Sequence, residues 1–237
     1  RYLTNNGPDD GLTGYGFGAG LWGAYSWGTA RSASGVVLSP RVWSMDAWGE
    51  DIVASVGGGE DTIYYFDVSA FIAAPTTYRG STLSWYVNSV GGDRTKIPTK
   101  VGVVLVSTPD RHLTCFGSTP EGSTTYDRTL VRWCSQESLS DWNTQLTNTA
   151  GAQKLGTGTN IESAAKGRGQ MILWTDVDAY GMQFTGPPFT FSFQQLGEAS
   201  GTISKNSPAM VEGAAFWMGT NNFYAYDGAI KTLKCPV

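Results

Sequence analysis

The chain has few charged residues and no long apolar run. Asp, Glu, Lys and Arg make up 15% of its 237 residues, against about 25% in typical soluble domains. Lys and Arg number 16 and are scattered, whereas tight binding to a nucleic-acid backbone needs clustered basic side chains. The most apolar run, Val101–Val106, is far shorter than the roughly 20 residues of a transmembrane helix. A sequence-reading DNA binder and a membrane-spanning helix are therefore not expected.

Cysteine and histidine are also scarce. The three cysteines, Cys115, Cys134 and Cys235, lack CxxC spacing, and His112 is the single histidine. A zinc site built from Cys and His is therefore not expected. We expect three reduced, mostly buried thiols in a chain that folds in a cytosol.

Glycine and aromatic residues are abundant instead. The 31 glycines have no three-residue period, which excludes collagen, and 13% of residues are aromatic. From Gly14 to Gly20, glycine alternates with aromatic or apolar residues. This alternation predicts that residues 1–42 form an extended Gly/aromatic-rich arm or connector, with a flexible linker as the alternative. Residues 43–237 are predicted to form the main domain.

Short apolar segments separated by turn residues predict four antiparallel hairpins. Their strands are Ile52–Val56 with Thr62–Phe66, His112–Gly117 with Thr129–Cys134, Gln170–Thr175 with Ala179–Phe184, and Ala214–Met218 with Phe223–Tyr226. The first strands begin 60, 58 and 44 residues apart. A recurrent hairpin with this spacing predicts an all-β, β-propeller-like fold with irregular blades. A β-sandwich is the alternative, because it also has short alternating strands.

The segments around these hairpins carry further predictions. Asp227-Gly228 indicates a two-residue turn before a strand at Ala229–Leu233. Ser138–Leu146 is predicted to be a short helix capped by Ser140. The polar stretches Ala74–Thr99 and Asn148–Gly169 are predicted to be long connectors that carry interfaces.

Catalytic groups are few, and each candidate has a structural alternative. His112 could pair with Asp110, two residues away, but a hydrogen bond at the start of a strand accounts for the same spacing. Asp176 and Asp178 could act as a glycosidase pair, with Trp174 and Tyr180 nearby for sugar stacking. Aspartate also favours tight turns because it bonds its own backbone.

The remaining site predictions are negative. Asp9-Asp10 could contact calcium, but no EF-hand spacing supports a site there. The many aromatic side chains are expected to fill the interior of an all-β fold. We therefore assign no catalytic, cofactor-binding or metal-binding residue, and no cofactor.

Several segments together resemble a family of tailed-bacteriophage structural proteins, the tail nozzle (tail tubular protein B) class of short-tailed phages. The matching segments are Trp43–Asp51, Ile63–Asp67, Val104–Gly117, Leu130–Asn143, Asn148–Ile161, Gln170–Phe191 and Trp217–Gly228. The chain departs from the family in its shorter length and in beginning with Arg1. We therefore expect it to be a segment of a longer protein.

The resemblance implies a non-enzymatic virion protein located in the viral tail and assembled in the host cytoplasm. Such a subunit forms a ring of six copies around the DNA ejection channel, below the portal and adaptor, and supports tail fibres. The net charge of −4 agrees with a wall that touches passing DNA only transiently. A carbohydrate-binding or glycan-cleaving β-propeller attached to the virion is the alternative function.

Overall fold

The computed structural model describes residues 42–56 and 62–233. The predicted arm lies outside the described residues apart from Val42, as do Asp9-Asp10 and Cys235. Within the described part, the chain forms sixteen strands, two short α-helices and one 3₁₀ helix.

The strands form four antiparallel sheets of four strands, and in every sheet the spatial order follows the chain. Sheet 1 contains β1 (Trp43–Trp48), β2 (Asp51–Val56), β3 (Ile63–Phe66) and β4 (Ser81–Thr82). Sheet 2 contains β5 (Val101–Val106), β6 (Leu113–Ser118), β7 (Asp127–Trp133) and β8 (Gly151–Lys154). Sheet 3 contains β9 (Ile161–Lys166), β10 (Met171–Thr175), β11 (Ala179–Gly186) and β12 (Thr190–Gly197). Sheet 4 contains β13 (Ala209–Val211), β14 (Ala214–Met218), β15 (Phe223–Tyr226) and β16 (Ile230–Leu233).

The predicted all-β fold is confirmed, and the four predicted hairpins are the two middle strands of the four sheets. Four separate sheets are more than a two-sheet sandwich contains. The first strands β1, β5, β9 and β13 lie beside one another in chain order, as the inner strands of propeller blades do. A closed propeller is not confirmed, because the sides of sheets 1 and 4 that face away from the other sheets carry exposed side chains such as Met45 and Val211, whereas the first and last blades of a closed propeller meet.

Three apolar cores hold successive sheets together face to face. Val53 and Ile63 of sheet 1 pack with Val104 and Leu113 of sheet 2. The opposite face of sheet 2 packs on sheet 3, and sheet 3 in turn packs on Ala215 and Trp217 of sheet 4. The central strands β6, β7 and β10 of the two middle sheets are therefore nearly continuous buried runs, since both of their faces are covered.

The two helices follow sheet 1 and are capped by local side chains. Asp67 caps α1 (Val68–Ala73) by accepting a hydrogen bond from the Ala70 amide. Thr82 caps α2 (Leu83–Ser89) in the same way, through the Trp85 amide. Strand β4, helix α2 and the 3₁₀ helix Arg94–Lys96 occupy the predicted connector Ala74–Thr99. The prediction of a polar connector was wrong there, because Leu83 and Val87 are buried in the first core.

The prediction of a second connector at Asn148–Gly169 was also wrong, because this segment contains strands β8 and β9. These strands are polar in sequence because each has only part of its length covered: in β8, Gly151 is buried and the next three residues are exposed. In β9, Ile161 and Ser163 are buried, while the side chains between and after them are partly or fully exposed. A half-covered strand lacks the apolar run on which the prediction relied.

The predicted helix Ser138–Leu146 is absent; the segment is made of turns and irregular chain. Its carbonyls are bonded elsewhere: the Asp141 carbonyl accepts from the Ser135 amide at 2.8 Å, and the Trp142 carbonyl accepts from the buried Arg132 guanidinium at 3.3 Å. These are carbonyls that a helix would use for its own i to i+4 bonds. Tertiary hydrogen bonds therefore override a local capping signal.

The turn predicted to consist of Asp227 and Gly228 contains three residues and not two. Tyr226 pairs with Ile230, so the loop contains Asp227, Gly228 and Ala229, and β16 begins at Ile230. Gly228 has φ of +112°, a conformation that L side chains rarely adopt.

Candidate functional site

Asp178 is buried, and both of its carboxylate oxygens accept hydrogen bonds from the surrounding loops and the end of β12. Its Oδ1 accepts from the Ala199 amide at 2.9 Å, and its Oδ2 accepts from the Gln195 side chain at 3.1 Å and from the Thr157 hydroxyl. Thr157 also contacts the Tyr180 hydroxyl. This carboxylate joins the loop before β9 to the segment after β12, both of them next to the β10–β11 turn.

Asp176, two residues earlier, is engaged in the same way. It accepts from the Thr159 amide at 2.7 Å and from the Thr159 hydroxyl at 2.6 Å. Partial burial opposes ionisation, but these bonds and one from the Asn160 amide lower the pKa of Asp176. A glycosidase acid needs a raised pKa instead. Asp176 is therefore an ionised loop anchor in this geometry.

The aromatic neighbours of this turn are inside the protein. Trp174 has no exposed surface and packs edge-to-face on Trp217, with ring centroids 5.5 Å apart. Tyr180 is 7% exposed. Stacking on a sugar requires an exposed ring face, which neither of these side chains presents. Their positions agree with the expectation that aromatic residues fill the interior.

His112 is buried between aromatic rings, and its ring nitrogens face hydroxyl groups and not the Asp110 carboxylate. Its Nε2 lies 3.1 Å from the Thr149 hydroxyl and its Nδ1 lies 3.4 Å from the Ser107 hydroxyl. The rings of Phe184 and Phe191 lie 5.5 and 5.1 Å from its own. Burial lowers the pKa of His112 to about 4. The imidazole is therefore neutral at pH 7 and joins the residue just before β6 to the segment before β8.

Cys115 and Cys134 are free, fully buried thiols. Burial raises the pKa of both, for Cys134 to about 12, so neither forms a thiolate at neutral pH. Within residues 42–56 and 62–233, no three His, Cys, Asp or Glu side chains are grouped to hold a metal ion. The same part of the chain contains no helix long and apolar enough to cross a membrane.

Two separate polar contacts join the inner strands, and together we call them the hub: the Asp46–Lys166 ion pair, and the Lys205 ammonium with the two carbonyls to which it donates. The Lys166 ammonium at the end of β9 lies 2.6 Å from the Asp46 carboxylate of β1. Lys205, in the segment between β12 and β13, donates to the Val42 carbonyl at 3.0 Å and to the Gly102 carbonyl at 3.1 Å. The hub thus links three of the four sheets to the segment that leads into the fourth.

Side chains of β1 also satisfy the free backbone edge of β5. The Val104 amide donates to the Ser44 hydroxyl at 3.1 Å, and the Val106 amide donates to the Asp46 carboxylate at 2.7 Å. Edge amides left unpaired would invite another strand. This role was not predicted from the sequence, because Ser44 and Asp46 lie in a segment to which no strand was assigned, although they alternate with Trp43 and Met45 as strand residues do.

The two end sheets each have an apolar face that is open to solvent. The sheet 1 outer face has Trp43, Met45 and Ile52 as its large exposed side chains, 52%, 64% and 40% exposed. The sheet 4 outer face has Val211, Phe216, Met218, Phe223 and Leu233, which are 39–54% exposed. Strand register places each set on the side facing away from the neighbouring sheet. The expectation that aromatic residues are interior was therefore wrong for Trp43, Phe216 and Phe223.

Two sequence comparisons identify no family for the chain. No protein-family model matches it, and a search of curated proteins finds no match. The candidate site is accordingly defined by the geometry of the chain alone. It comprises the hub contacts between the inner strands and the apolar outer faces of sheets 1 and 4.

Proposed function

We propose that the chain is a structural subunit of a bacteriophage tail, which assembles with copies of itself into a ring around the path of the ejected DNA. The observation that carries this proposal is the pair of apolar outer faces on sheets 1 and 4. Contiguous exposed apolar surface of this kind is typical of protein–protein contacts. The segments between Trp43 and Gly228 that resemble tail nozzle proteins are the reason for proposing that the assembly belongs to a phage tail.

The Asp46–Lys166 contact of the hub bears on where a DNA path could lie in the proposed ring. Asp46 and Lys166 are in direct contact between β1 and β9, at 2.6 Å, so a duplex cannot pass between these inner strands. In the proposed ring, the lumen therefore lies between subunits and not along the centre of one chain. The low content of Lys and Arg limits phosphate binding at such a lumen.

Two measurements test the proposal. Native mass spectrometry and negative-stain imaging of the purified protein are expected to reveal rings, with adaptor-side tail proteins and fibres as further partners. Antibody labelling of phage particles that carry the gene is expected to mark the tail. A protein that stays monomeric at high micromolar concentration, or that is missing from the particles, contradicts the proposal.

A further inference from the structure

We propose that copies of this chain join head to tail, with the sheet 4 outer face of one copy packed on the sheet 1 outer face of the next. This inference rests on the proposed function, because it names the interface of the assembly. The occupant of each face is thus a second copy of the chain, presenting its opposite end.

The strand register defines the sheet 4 outer face as nearly uncharged. Phe216 and Met218 point away from sheet 3 on β14, whereas Ala215 and Trp217 between them are buried against it. Met218 pairs with Phe223, and Phe223 pairs with Leu233, so these side chains form a row across three strands. Among the described residues of strands β13–β16, Lys231 is the charged residue at an outward position, and its ammonium lies 2.8 Å from the Asp227 carboxylate.

The sheet 1 outer face is apolar by the same alternation. Trp43 and Met45 point outward on β1, whereas Ser44 and Asp46 point toward β5. Ile52 lies on the same face, opposite Ala47. The Trp43 ring contacts Tyr64, with centroids 5.8 Å apart.

The three contacts between sheets inside the chain provide the precedent for this pairing. In each, the face of one sheet that points toward the next sheet in chain order packs on the face of that sheet that points back toward the preceding one, through apolar side chains of both. Two faces remain without such a partner among the described sheets: the sheet 4 outer face, which points forward in chain order, and the sheet 1 outer face, which points backward. A head-to-tail contact between copies therefore repeats a packing that this chain already uses three times.

The area available is sufficient for a specific interface. A fully exposed aromatic side chain presents about 150–250 Å², so side chains near half exposure leave on the order of 100 Å² each in water. The eight large apolar side chains of the two faces then supply roughly 700–800 Å² of apolar surface. Because interfaces are about 57% apolar, the corresponding total of roughly 1,300 Å² is within the range of specific complexes.

Like-with-like pairing fits the observations less well. Two sheet 4 faces brought together would place two copies of Lys231 in one contact, and like charges in an interface are costly. Such a dimer would also leave both sheet 1 outer faces in water. The head-to-tail contact covers one face of each kind and can be repeated until a ring closes.

The test uses one charged substitution on each face. Met45→Lys alters the sheet 1 outer face, and Phe223→Lys alters the sheet 4 outer face; Trp43→Lys and Phe216→Lys serve as second variants if either fails to fold by circular dichroism. Phe189→Lys is the control, because Phe189 is 79% exposed in the turn between β11 and β12. Each face variant is expected to weaken self-association on the order of 100-fold, while the control assembles like the wild type.

Mixing the two face variants decides the geometry. Each retains the face that the other has lost, so an equimolar mixture is expected to form a dimer by native mass spectrometry and to grow no further. A mixture that stays monomeric, or a Met45→Lys protein that still dimerises alone, overturns the head-to-tail contact even if the wild type forms rings. A monomeric wild type instead overturns the proposed function itself.

Discussion

Lys205 donates to the Val42 carbonyl at 3.0 Å, across 163 residues of chain. It also donates to the Gly102 carbonyl at 3.1 Å, so one side chain joins the segment between sheets 3 and 4 to the starts of sheets 1 and 2. Burial lowers the pKa of Lys205, while Glu162 opposes that change. Hydrogen bonds to these two carbonyls stabilise the partly desolvated ammonium group.

We expect Lys205→Met to destabilise the protein by about 1–3 kcal/mol, because two carbonyls lose their donor while the apolar stem is retained. Urea unfolding followed by tryptophan fluorescence measures this change. Lys154→Met is the matched control: in its ion pair with Asp127 the Lys154 side chain is 63% exposed, and such surface pairs contribute little. Equal unfolding midpoints for the two variants would contradict a structural role for the hub.

His112 is expected to make stability depend on pH between about 6.5 and 4. Burial lowers the pKa of this imidazole from 6.5 to about 4, so over that range the unfolded state binds a proton that the folded state excludes. Stability is then fully present above pH 6.5 and decreases as pH falls toward 4, by up to about 3 kcal/mol. Carboxylates titrate at the lower end of this range, so the comparison requires a variant.

His112→Gln isolates this contribution. It can keep hydrogen bonds to Ser107 and Thr149 but has no proton to gain. Urea midpoints at pH 7.5, 6.0 and 4.5 are expected to fall more steeply for the wild type than for the variant. Parallel curves for the two proteins would show that His112 is not the titrating group.

Asp178→Ala is expected to cost about 2–3 kcal/mol, because the Ala199 amide, the Gln195 side chain and the Thr157 hydroxyl lose a charged acceptor. For a domain of this size the melting temperature would fall by roughly 4–12 °C. Glu198→Ala, at an exposed neighbouring position, is the control and should melt like the wild type. If Asp178→Ala melts unchanged and the wild type cleaves host polysaccharide, the carboxylate has a catalytic role instead.

Gly201→Ala is expected to destabilise the protein by about 1–3 kcal/mol through overpacking. A Cβ at Gly201 would lie 2.5 Å from the backbone carbonyl of Asp176, which cannot rotate away. Gly156→Ala is the control, since nothing lies within 4 Å of a Cβ there. Differential scanning calorimetry compares the two. If Gly201→Ala is as stable as Gly156→Ala, the close approach of these segments is wrong.

The predictable part of the fold is the middle of each sheet. The strands at β6–β7 and β10–β11 are covered on both faces, so their apolar residues stand out between turn residues. The strands at the sides of the sheets are short or half covered, as β4, β8 and β9 are, and their composition resembles loops. Hydrophobic pattern detects burial, and it therefore fails where burial is partial.

The candidate site was less accessible to prediction. Residues chosen for their chemistry, His112, Asp176 and Asp178, lie in local hydrogen-bond networks. The hub consists of the Asp46–Lys166 ion pair and the Lys205 contacts with two carbonyls. These three residues are separated by 120 and 39 positions in the chain, and no short motif marks contacts of this kind. Trp43, Phe216 and Phe223 gave no sign that they are exposed, because aromatic residues occur on both faces of the end sheets.

By itself, the sequence determined the all-β class and the four central hairpins, because turn residues and alternating apolar positions act over a few residues of chain. Tertiary structure alone decided which face of each end sheet is open, which charges meet in the hub, and that Ser138–Leu146 does not become a helix. These outcomes depend on contacts between distant segments, where the burial of a residue is set by the sheet that packs against it.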